Sequence, residues 1–394
     1  MAAAPLILLP FLGAGVGGSH IATFELARAL HTVVGATCII LCSRYSMIAA
    51  EALRYGIQSA FTNERTGMRH SPFYDLGQLP ARLAKLAGFR RQRPIVHCND
   101  VGALQSWGPP AKLLGMPVVY HHHSLNRDVL PNRMTFGVAD AIVAVSDVCR
   151  DNLHFAPAER ISVALNPFSL APMNVIVERR RVLEQIDAPA DSPLFGFIGN
   201  LWHRKRPQFF LESARHILAR EPRAHFLVYG REGELTLEDV KSHAESLGIG
   251  PRVHMMGFRA PAEANIAALD VLMAPGLREP FGRTLVESIL LGVPYVATDD
   301  AGHSEIHRRW GGGQLMHKDA SAEMFAEAAL ALAVNPVALP LHRRNEIAEE
   351  VSANAHAEHI LDVYRKIAPH APIPLHAGRA ANDGEGLIQA RHRA

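Results

Sequence analysis

The chain has 394 residues, of which 48% are hydrophobic and 20% charged, and its formal net charge is +2. This composition excludes an intrinsically disordered or collagen-like chain, and the small net charge argues against a nucleic-acid-binding protein. At roughly 100–200 residues per domain, the length predicts two domains. Residues 1–170 carry 15 Lys and Arg against 10 Asp and Glu, which suggests that the two halves have different partners.

The N-terminus and the cysteines both bear on where the protein acts. Residues 1–23 carry no charge, but they lack the basic start of a signal peptide. Six Gly and Pro residues also divide this segment far short of the ~18 consecutive apolar residues of a membrane span. The four cysteines form no CxxC pair and lie in or beside apolar runs, which predicts buried thiols rather than a zinc site or disulfides. We therefore expect a cytoplasmic protein.

Short apolar runs alternate with amphipathic segments through the first half of the chain, which predicts βαβ units and a parallel sheet. The predicted strands are residues 6–9, 36–41, 95–98, 117–120, 141–145 and 161–165, with helices such as 21–30 and 104–114 between them. Residues 166–174 contain two prolines and have no periodicity, so we expect them to connect two domains.

A second alternating series follows this connection. Its predicted strands are residues 194–198, 225–229, 252–255, 271–274 and 295–298, and its predicted helices are 206–219, 237–247 and 282–291. Residues 355–367 are predicted to form one more amphipathic helix. Residues from 368 onward lack periodicity and are expected to be loosely ordered.

The predicted fold class is therefore α/β, with two Rossmann-like doubly wound domains facing a cleft. We assign residues 1–170 to the first domain, 171–367 to the second, and 368–394 to a loosely ordered tail. Because ligands of such sheets sit outside the carboxyl ends of the strands, the cleft between the domains is the expected active site.

The strongest motif stands where a predicted strand gives way to a helix in the second half. Gly282 allows a ligand to approach the backbone closely, and the free amides of Arg283 and Thr284 favour an anion at the helix start. Glu287 lies among apolar residues of this helix, where a carboxylate needs partners such as ribose hydroxyls, and Glu279 stands earlier on the loop. The alternative is an ordinary helix start whose acidic residues favour the helix dipole.

A second motif is the basic loop that follows the predicted strand 194–198. It carries three consecutive cations, Arg204, Lys205 and Arg206. The chain has only six lysines against 34 arginines, so a lysine here stands out. At the carboxyl end of a strand these cations suit a diphosphate through charge-assisted hydrogen bonds, and the alternative is a solvated basic loop.

The glycine-rich loop after the first strand contains a GxGxxG pattern at Gly13, Gly15 and Gly18. This pattern alone is weak support for a dinucleotide site. The second predicted strand also ends without the acidic residue that such sites place there. We therefore expect Gly17 and Gly18 to let the backbone come close to a substrate other than NAD.

Two further segments of the first half carry polar side chains in a recognisable pattern. Three consecutive histidines, 121–123, follow a predicted strand. Side chains alternate sides along an extended backbone, which disfavours one metal ion bound by all three, so we expect one histidine to face the cleft. Residues 79–93 form a basic amphipathic segment. We interpret it as a surface helix packed on its sheet or, alternatively, as a contact with anionic lipid.

Taken together and in this order, the motifs resemble the family 4 retaining glycosyltransferases of the GT-B fold, from about residue 13 to residue 364. The most specific part is Glu279 and Glu287 with seven residues between them, followed by residues 291–294 and 302–306. The resemblance implies that a nucleoside-diphosphate sugar is bound by Gly18, Arg204, Lys205, Phe258, Glu279, Phe281, Gly282, Arg283, Thr284 and Glu287. The residues that it implies for catalysis are His123, Lys205 and Glu279.

By the same resemblance, individual roles follow for several of these residues. Glu287 would bind the ribose, Glu279 would lie near the donor sugar and Lys205 would bind the diphosphate. His123 would lie close to the transferred sugar, and Phe258 would border the base.

The activity that the resemblance implies is a metal-independent, retaining transfer of a hexose from a UDP- or GDP-sugar to a glycan or lipid-linked acceptor. Such a reaction belongs to polysaccharide or glycolipid biosynthesis, for example that of lipopolysaccharide. We expect no cofactor, and a peripheral contact with the inner face of the membrane through the N-terminal domain. Asn200 stands where the family usually has an arginine. A silent sugar-nucleotide-binding homologue therefore stays open, as does a sugar-nucleotide epimerase of the same fold.

Overall fold

The computed structural model describes residues 4–13, 15–63, 72–126, 130–169 and 173–374. The chain divides into two compact units. In the described part, the first unit contains residues 4–169 together with 350–374, and the second contains residues 173–349. Each unit has one parallel β-sheet with helices between its strands, which confirms the predicted α/β class.

The first unit has a seven-stranded parallel sheet within its described residues. The strands are β1 (Leu6–Pro10), β2 (Thr37–Ser43), β3 (Gln58–Thr62), β4 (Ile95–Cys98), β5 (Val118–His122), β6 (Ala141–Ala144) and β7 (Ile161–Val163). The helices between them are α1 (Gly18–Val34), α2 (Met47–Arg54), α3 (Pro72–Ala87), α4 (Val101–Leu113), α5 (Leu130–Phe136) and α6 (Asp147–Asp151). The strand order is β3-β2-β1-β4-β5-β6-β7, so the winding reverses between β1 and β4.

The second unit has a six-stranded parallel sheet within its described residues. The strands are β8 (Leu194–Ile198), β9 (His225–Tyr229), β10 (Val253–Gly257), β11 (Val271–Ala274), β12 (Tyr295–Asp299) and β13 (Gly313–His317). The helices are α7 (Val175–Gln185), α8 (Pro207–Arg220), α9 (Leu237–Ser246), α10 (Ala262–Ala267), α11 (Arg283–Leu291), α12 (Ala301–Trp310), α13 (Ala322–Val334) and α14 (Leu341–Glu350). The order β10-β9-β8-β11-β12-β13 places the reversal between β8 and β11.

Every strand predicted from the sequence is present, with small shifts at its ends. The strands β3 and β13 were not predicted. Both lie at sheet edges, and their side chains are half-buried or exposed. They therefore lack the continuous apolar run that marks the strands buried on both faces.

The helix α15 (Ala353–Ile367) corrects the predicted domain assignment, because it packs on the first unit rather than on the second. The amide of Phe168 donates to the carbonyl of Val351 over 2.9 Å, which brings the chain back to the first unit. Tyr364 of α15 is fully buried there, and its hydroxyl lies 2.7 Å from Nδ1 of His97. Apolar periodicity predicts that a helix forms, but it does not tell which core the helix covers.

Residues 368–374, predicted to be loosely ordered, are packed against the end of α15. Ala368 is buried, and the guanidinium of Arg365 donates to the carbonyl of Pro374 over 2.7 Å. The rest of the predicted tail, residues 375–394, lies outside the described residues.

Two predictions concern properties of the whole described chain. None of its helices is both long enough and apolar enough to cross a bilayer. The four cysteines are buried and form no disulfide with one another, as predicted. Burial raises the pKa of the Cys38 thiol to about 12, so this group is inert at neutral pH.

Candidate functional site

The candidate site of the second unit lies where its winding reverses, at the carboxyl ends of β8 and β11. The loops that follow these two strands are joined there, because the amide of Leu277 donates to the carbonyl of Arg204 over 2.7 Å. The stem of Lys205 lies between Gly199 and Gly276, and a Cβ atom at Gly276 would be 3.4 Å from Lys205 Cδ. The two motifs of the second half therefore form one site.

Glu279 is held between two cations at the centre of this site. Its Oε2 lies 2.5 Å from Nζ of Lys205 and 3.0 Å from Nη1 of Arg204. Burial alone would raise the pKa of Glu279, but the neighbouring charges, Lys205 above all, lower it to about 2. The carboxylate is therefore ionised at neutral pH, and the cluster carries a net positive charge.

Gly282 sets the direction in which α11 begins. Its φ of 95° lies in the left-handed region that favours glycine. The backbone turns there, and Arg283 and Thr284 form the first turn of the helix. The first amides of a helix have no partner within the helix and lie at the positive end of its dipole. Thr284 lines the same cleft as Lys205, so the start of α11 and the lysine border one hollow.

Gly302, for which no role was predicted from the sequence, brings a third loop up to the site. Its amide donates to the carbonyl of Glu279 over 2.8 Å. A Cβ atom at this position would come within 2.6 Å of the carbonyl oxygen of Phe281 and 2.7 Å of that of Glu279. Only glycine allows this approach, so the start of α12 supports the loop that carries Glu279. The sequence signal that could have identified Gly302 was its place in residues 302–306, which carry part of the family resemblance.

Glu287 lies on α11 one turn after Thr284, on the same side of the helix. It is 4% exposed, and burial raises its pKa to about 8 against the opposing charge of Arg283. The nearest approach of this pair is 3.6 Å, between Arg283 Nη2 and Glu287 Oε1. The carboxyl is therefore mostly protonated at neutral pH. Hydrogen-bond donors on a ligand, such as a pair of hydroxyls, would favour the ionised form.

His303 is a further site residue without an assigned role in the sequence analysis. It lies next to Gly302 in α12 and is 2% exposed. Burial lowers its pKa to about 4, so the ring is neutral at neutral pH. The cleft that it lines is also bordered by Phe197, Ile198, Lys205, Met273, Ala274, Pro275, Gly276 and Thr284.

Asn200 follows β8, and Phe258 follows β10 on the same side of the winding reversal. Both contact Arg231, which follows β9. The amide of Arg231 donates to Asn200 Oδ1 over 3.4 Å, and its guanidinium carbon lies 3.7 Å from the centre of the Phe258 ring. Phe258 is half exposed. An arginine therefore does lie beside Asn200, although it comes from the neighbouring strand rather than from position 200.

Gly18 and His123 lie in the first unit, at the carboxyl edge of its sheet. Gly18 is the first residue of α1, and His123 follows β5 directly. Burial holds the pKa of His123 well below its usual range, and His20 in the first turn of α1 is close enough to lower it further. The Nε2 atom of His123 is buried without a hydrogen-bond partner among the described residues. The carboxyl edge of the first sheet therefore has a helix start after β1 and an unpaired polar atom after β5.

A chain of buried side chains connects β5 to α15. The hydroxyl of Tyr364 lies 2.7 Å from Nδ1 of His97, and Nε2 of His97 lies 3.3 Å from Nδ1 of His121. The ring of His121 lies 4.3 Å from that of His123, measured between ring centres. If the tyrosine donates its proton, each of the two hydrogen bonds in the chain has one donor and one acceptor. The reverse direction leaves the tyrosine proton unpaired.

No three His, Cys, Asp or Glu side chains of the described chain are grouped as a metal site. The side chains of the histidines 121–123 point in different directions, which agrees with this finding. His121 contacts His97, and His122 contacts Tyr120, with Tyr120 Oη 2.9 Å from His122 Nδ1. The absence of a metal requirement stays a prediction.

The basic segment 79–93 is only partly a surface helix. The helix α3 ends at Ala87, and Arg82 points inward. Its Nη1 lies 2.9 Å from Oδ1 of Asp75, which also accepts a hydrogen bond from Ser106 of α4. One of the cations counted as available for anionic lipid therefore holds α3 against α4.

Two family descriptions match the sequence. One, "Glycosyltransferase Family 4", covers residues 16–171, and the other, "Glycosyl transferases group 1", covers residues 192–335. The lipopolysaccharide core biosynthesis glycosyltransferase LpsE of Rhizobium meliloti is 28% identical over 252 residues, 64% of this chain and 68% of LpsE. An Escherichia coli enzyme, UDP-Gal:alpha-D-GlcNAc-diphosphoundecaprenol alpha-1,3-galactosyltransferase, is 26% identical over 162 residues, 40% of this chain and 41% of that enzyme.

Solved structures agree with the fold over most of the chain. Anabaena HepE in complex with UDP and glucose has a TM-score of 0.77 at 18% identity, over 92% of this chain and 100% of HepE. The lipopolysaccharide outer core galactosyltransferase WaaB, in its apo form, has a TM-score of 0.65 at 17% identity, over 92% of this chain and 99% of WaaB. These likenesses confirm the predicted GT-B fold.

Proposed function

Since the chain belongs to the glycosyltransferases of family 4 and group 1, we propose that it transfers a hexose from a nucleoside-diphosphate sugar to a glycan or lipid-linked acceptor. The observation that carries this proposal is the cluster of Lys205, Arg204 and Glu279 beside the start of α11. Cations and free helix amides suit a diphosphate. A carboxylate beside them suits the hydroxyls of a sugar.

The relatives support the classes of donor and acceptor. HepE was crystallised with UDP and glucose. The name of the Escherichia coli relative gives UDP-Gal as its donor and a diphosphoundecaprenol-linked sugar as its acceptor. LpsE acts in lipopolysaccharide core biosynthesis. We propose a UDP- or GDP-hexose as donor, and an acceptor from the assembly of lipopolysaccharide or a related polysaccharide.

In the proposed reaction, the bond between the anomeric carbon and the diphosphate oxygen breaks, and its electron pair stays with the diphosphate. Lys205, Arg204 and the amides at the start of α11 stabilise the charge that grows there. The acceptor hydroxyl oxygen bonds to the anomeric carbon on the face that the diphosphate leaves. Its proton passes to a phosphate oxygen of the leaving group. Because the new bond forms on the face that the diphosphate leaves, the anomeric configuration is retained, and the proposed reaction uses no metal ion.

The other residues of the proposed site bind and orient. Glu287 is proposed to accept hydrogen bonds from the ribose, since it is a buried carboxyl on the same side of α11 as Thr284. His123 and Gly18 of the first unit are proposed to lie beside the transferred sugar. Phe258 is proposed to border the base, where Arg231 already lies over its ring.

The proposal is tested by incubating the protein with UDP- and GDP-hexoses and a lipid-linked or lipopolysaccharide-core acceptor. Release of nucleoside diphosphate measures turnover, and NMR of the product gives the anomeric configuration. Lys205→Ala is expected to lower kcat/KM by roughly 100-fold or more. Lys241→Ala, which removes an exposed lysine of α9, is the matched control and should leave kcat/KM unchanged.

Two outcomes would favour the alternatives. Release of epimerised sugar nucleotide without an acceptor would identify an epimerase. Donor binding without any turnover would identify a silent homologue, in agreement with Asn200 in place of an arginine. Full transfer activity of Lys205→Ala would contradict the assigned site.

A further inference from the structure

We propose that Trp202 is a positioning residue of the diphosphate site, because its indole ring holds the guanidinium of Arg204 beside Lys205. This inference rests on the proposed function, in which Arg204 and Lys205 bind the diphosphate, and no role was predicted for Trp202 from the sequence. Asn200 contributes no charge to the same loop. Arg204 can supply that charge only if its long side chain stays at the site, and the ring of Trp202 keeps it there.

Two contacts hold the guanidinium of Arg204. Its carbon atom Cζ lies 5.0 Å from the centre of the Trp202 ring, and its Nη1 lies 3.0 Å from Oε2 of Glu279. A guanidinium over an indole ring at up to ~6 Å is attracted by the negative face of that ring. The same carboxylate oxygen of Glu279 lies 2.5 Å from Nζ of Lys205, so the two cations are held side by side.

Arg204 keeps hydrogen-bond donors that a ligand can reach. Its side chain is 36% exposed, and Nη1 is its one side-chain nitrogen with a hydrogen-bond partner in the part of the chain that the structure describes. The planar guanidinium suits two oxygens of one phosphate. A free arginine side chain would have to be ordered when the ligand binds, at a cost in affinity. The ring of Trp202 restricts this side chain before the diphosphate arrives.

The ring of Trp202 is itself held by the loop that follows β9. A Cβ atom at Gly233 would lie 2.2 Å from Cδ1 of Trp202, so only glycine lets the ring lie there. The amide of Leu201 donates to the carbonyl of Arg231 over 2.9 Å, and the amide of Leu235 donates to the carbonyl of Leu201 over 2.9 Å. The ring is therefore fixed against a neighbouring backbone, while 37% of the residue stays exposed.

A second arginine, Arg231, also lies near this loop but is placed differently. Its Cζ lies 3.7 Å from the centre of the Phe258 ring, which follows β10. In the sheet, β10 is two strands away from β8. Arg204 lies instead beside Glu279, which follows β11 at the winding reversal. Arg204 rather than Arg231 is therefore the cation that supplies the charge lacking at Asn200.

A double-mutant cycle measured by titration calorimetry tests this inference, with UDP, UDP-glucose, GDP and GDP-mannose as ligands. In Arg204→Gln, the Kd of each ligand that the wild type binds should rise roughly 10- to 100-fold, the effect of one charge-assisted hydrogen bond. Trp202→Leu, which is apolar but has no aromatic face, should raise the same Kd roughly three- to tenfold. When Arg204→Gln is already present, Trp202→Leu should change the Kd by less than about twofold, because the ring then has no cation to hold.

Two further variants and a control complete the design. Trp202→Phe keeps an aromatic face and should recover most of the affinity lost in Trp202→Leu. Gly233→Ala, whose Cβ atom would displace the ring, should lose affinity as Trp202→Leu does, and only while Arg204 is present. The control is Arg309→Gln, which removes another arginine over a tryptophan ring, 5.5 Å from the centre of Trp310 at the end of α12. It should change no Kd.

The outcomes separate this inference from the proposed function. Equal losses from Trp202→Leu with and without Arg204 would show that the ring acts independently of the arginine, and would overturn the inference. Unchanged affinity in Trp202→Leu and Gly233→Ala would overturn it as well. If Lys205→Ala weakens binding while the Arg204 and Trp202 variants do not, the proposed function stands and this inference fails. If the wild type binds none of the four ligands, both fail.

Discussion

Replacement of Glu287 by glutamine is expected to stabilise the ligand-free protein while weakening its binding of a nucleotide sugar. Burial raises the pKa of Glu287 from 4.5 to about 8. Each pH unit between these two values corresponds to about 1.4 kcal/mol. Because the unfolded chain releases this proton more readily than the folded protein, the free energy of unfolding is lowered by about 3 kcal/mol at pH 7, and by about 5 kcal/mol at pH values above 8.

The sign of this effect follows from where the proton is lost. In the unfolded chain Glu287 loses its proton near pH 4.5, and in the folded chain near pH 8. The stability of the folded state is therefore complete below about pH 4.5, and it declines as the pH rises toward 8. Glutamine has no proton to lose, so Glu287→Gln should lack this decline.

Urea unfolding at about pH 5 and about pH 8 measures the difference. The free energy of unfolding of Glu287→Gln should exceed that of the wild type by several kcal/mol at pH 8, and by much less at pH 5. Glu245→Gln, on the exposed side of α9, is the control and should show no such gap. A gap that is the same at both pH values, or a variant less stable than the wild type at pH 8, would refute the reasoning.

Three further substitutions test other parts of the structure. Gly302→Ala should weaken donor binding by roughly tenfold or more, because its Cβ atom would clash with the backbone of the neighbouring loop; Gly77→Ala, with open space around it, is the control in the same calorimetric titration. Tyr364→Phe should lower the free energy of unfolding by about 1–3 kcal/mol in urea titrations, and change the tautomer of His97 seen by nitrogen-15 NMR, because it leaves Nδ1 of that ring unpaired. Ala301→Gly should raise the melting temperature, since a φ of 47° is a conformation that costs alanine about 1 kcal/mol.

The loop chemistry of the second unit could be predicted from the sequence because its residue types are distinctive. A lysine among arginines and a glycine before an apolar helix both stand at the carboxyl ends of predicted strands. The doubly wound fold then requires the ends of neighbouring parallel strands to share one edge. Lys205 and Glu279 are accordingly in contact, although 74 positions separate them.

The place of His303 beside the cleft could not be predicted in this way. It depends on the approach of Gly302 to the backbone of the loop that carries Glu279, and a contact of that kind leaves no periodicity in either segment. The placement of α15 was missed for a related reason. An amphipathic face predicts burial, whereas the partner of that face is set by long-range contacts such as the one between Tyr364 and His97.

The basic segment of the first unit shows the limit of counting charges. Arg82 contributes to the positive charge of residues 79–93, yet it is 3% exposed and paired with Asp75. A basic side chain on a helix faces solvent or a neighbouring helix according to its position around the helix axis. A carboxylate earlier on the same helix can pair with it in a buried position. The predicted contact with anionic lipid would then depend on the exposed Arg90, Arg91 and Arg93.

The most direct test of the central claim is titration calorimetry of UDP- and GDP-sugars against the wild-type chain, Lys205→Ala and the control Lys241→Ala. One nucleotide sugar should bind to the wild type and to Lys241→Ala with the same Kd. Its Kd should rise roughly 10- to 100-fold in Lys205→Ala, as expected for the loss of one charge-assisted hydrogen bond to the diphosphate. An unchanged Kd in Lys205→Ala would contradict the claim that the diphosphate is bound at the winding reversal of the second sheet.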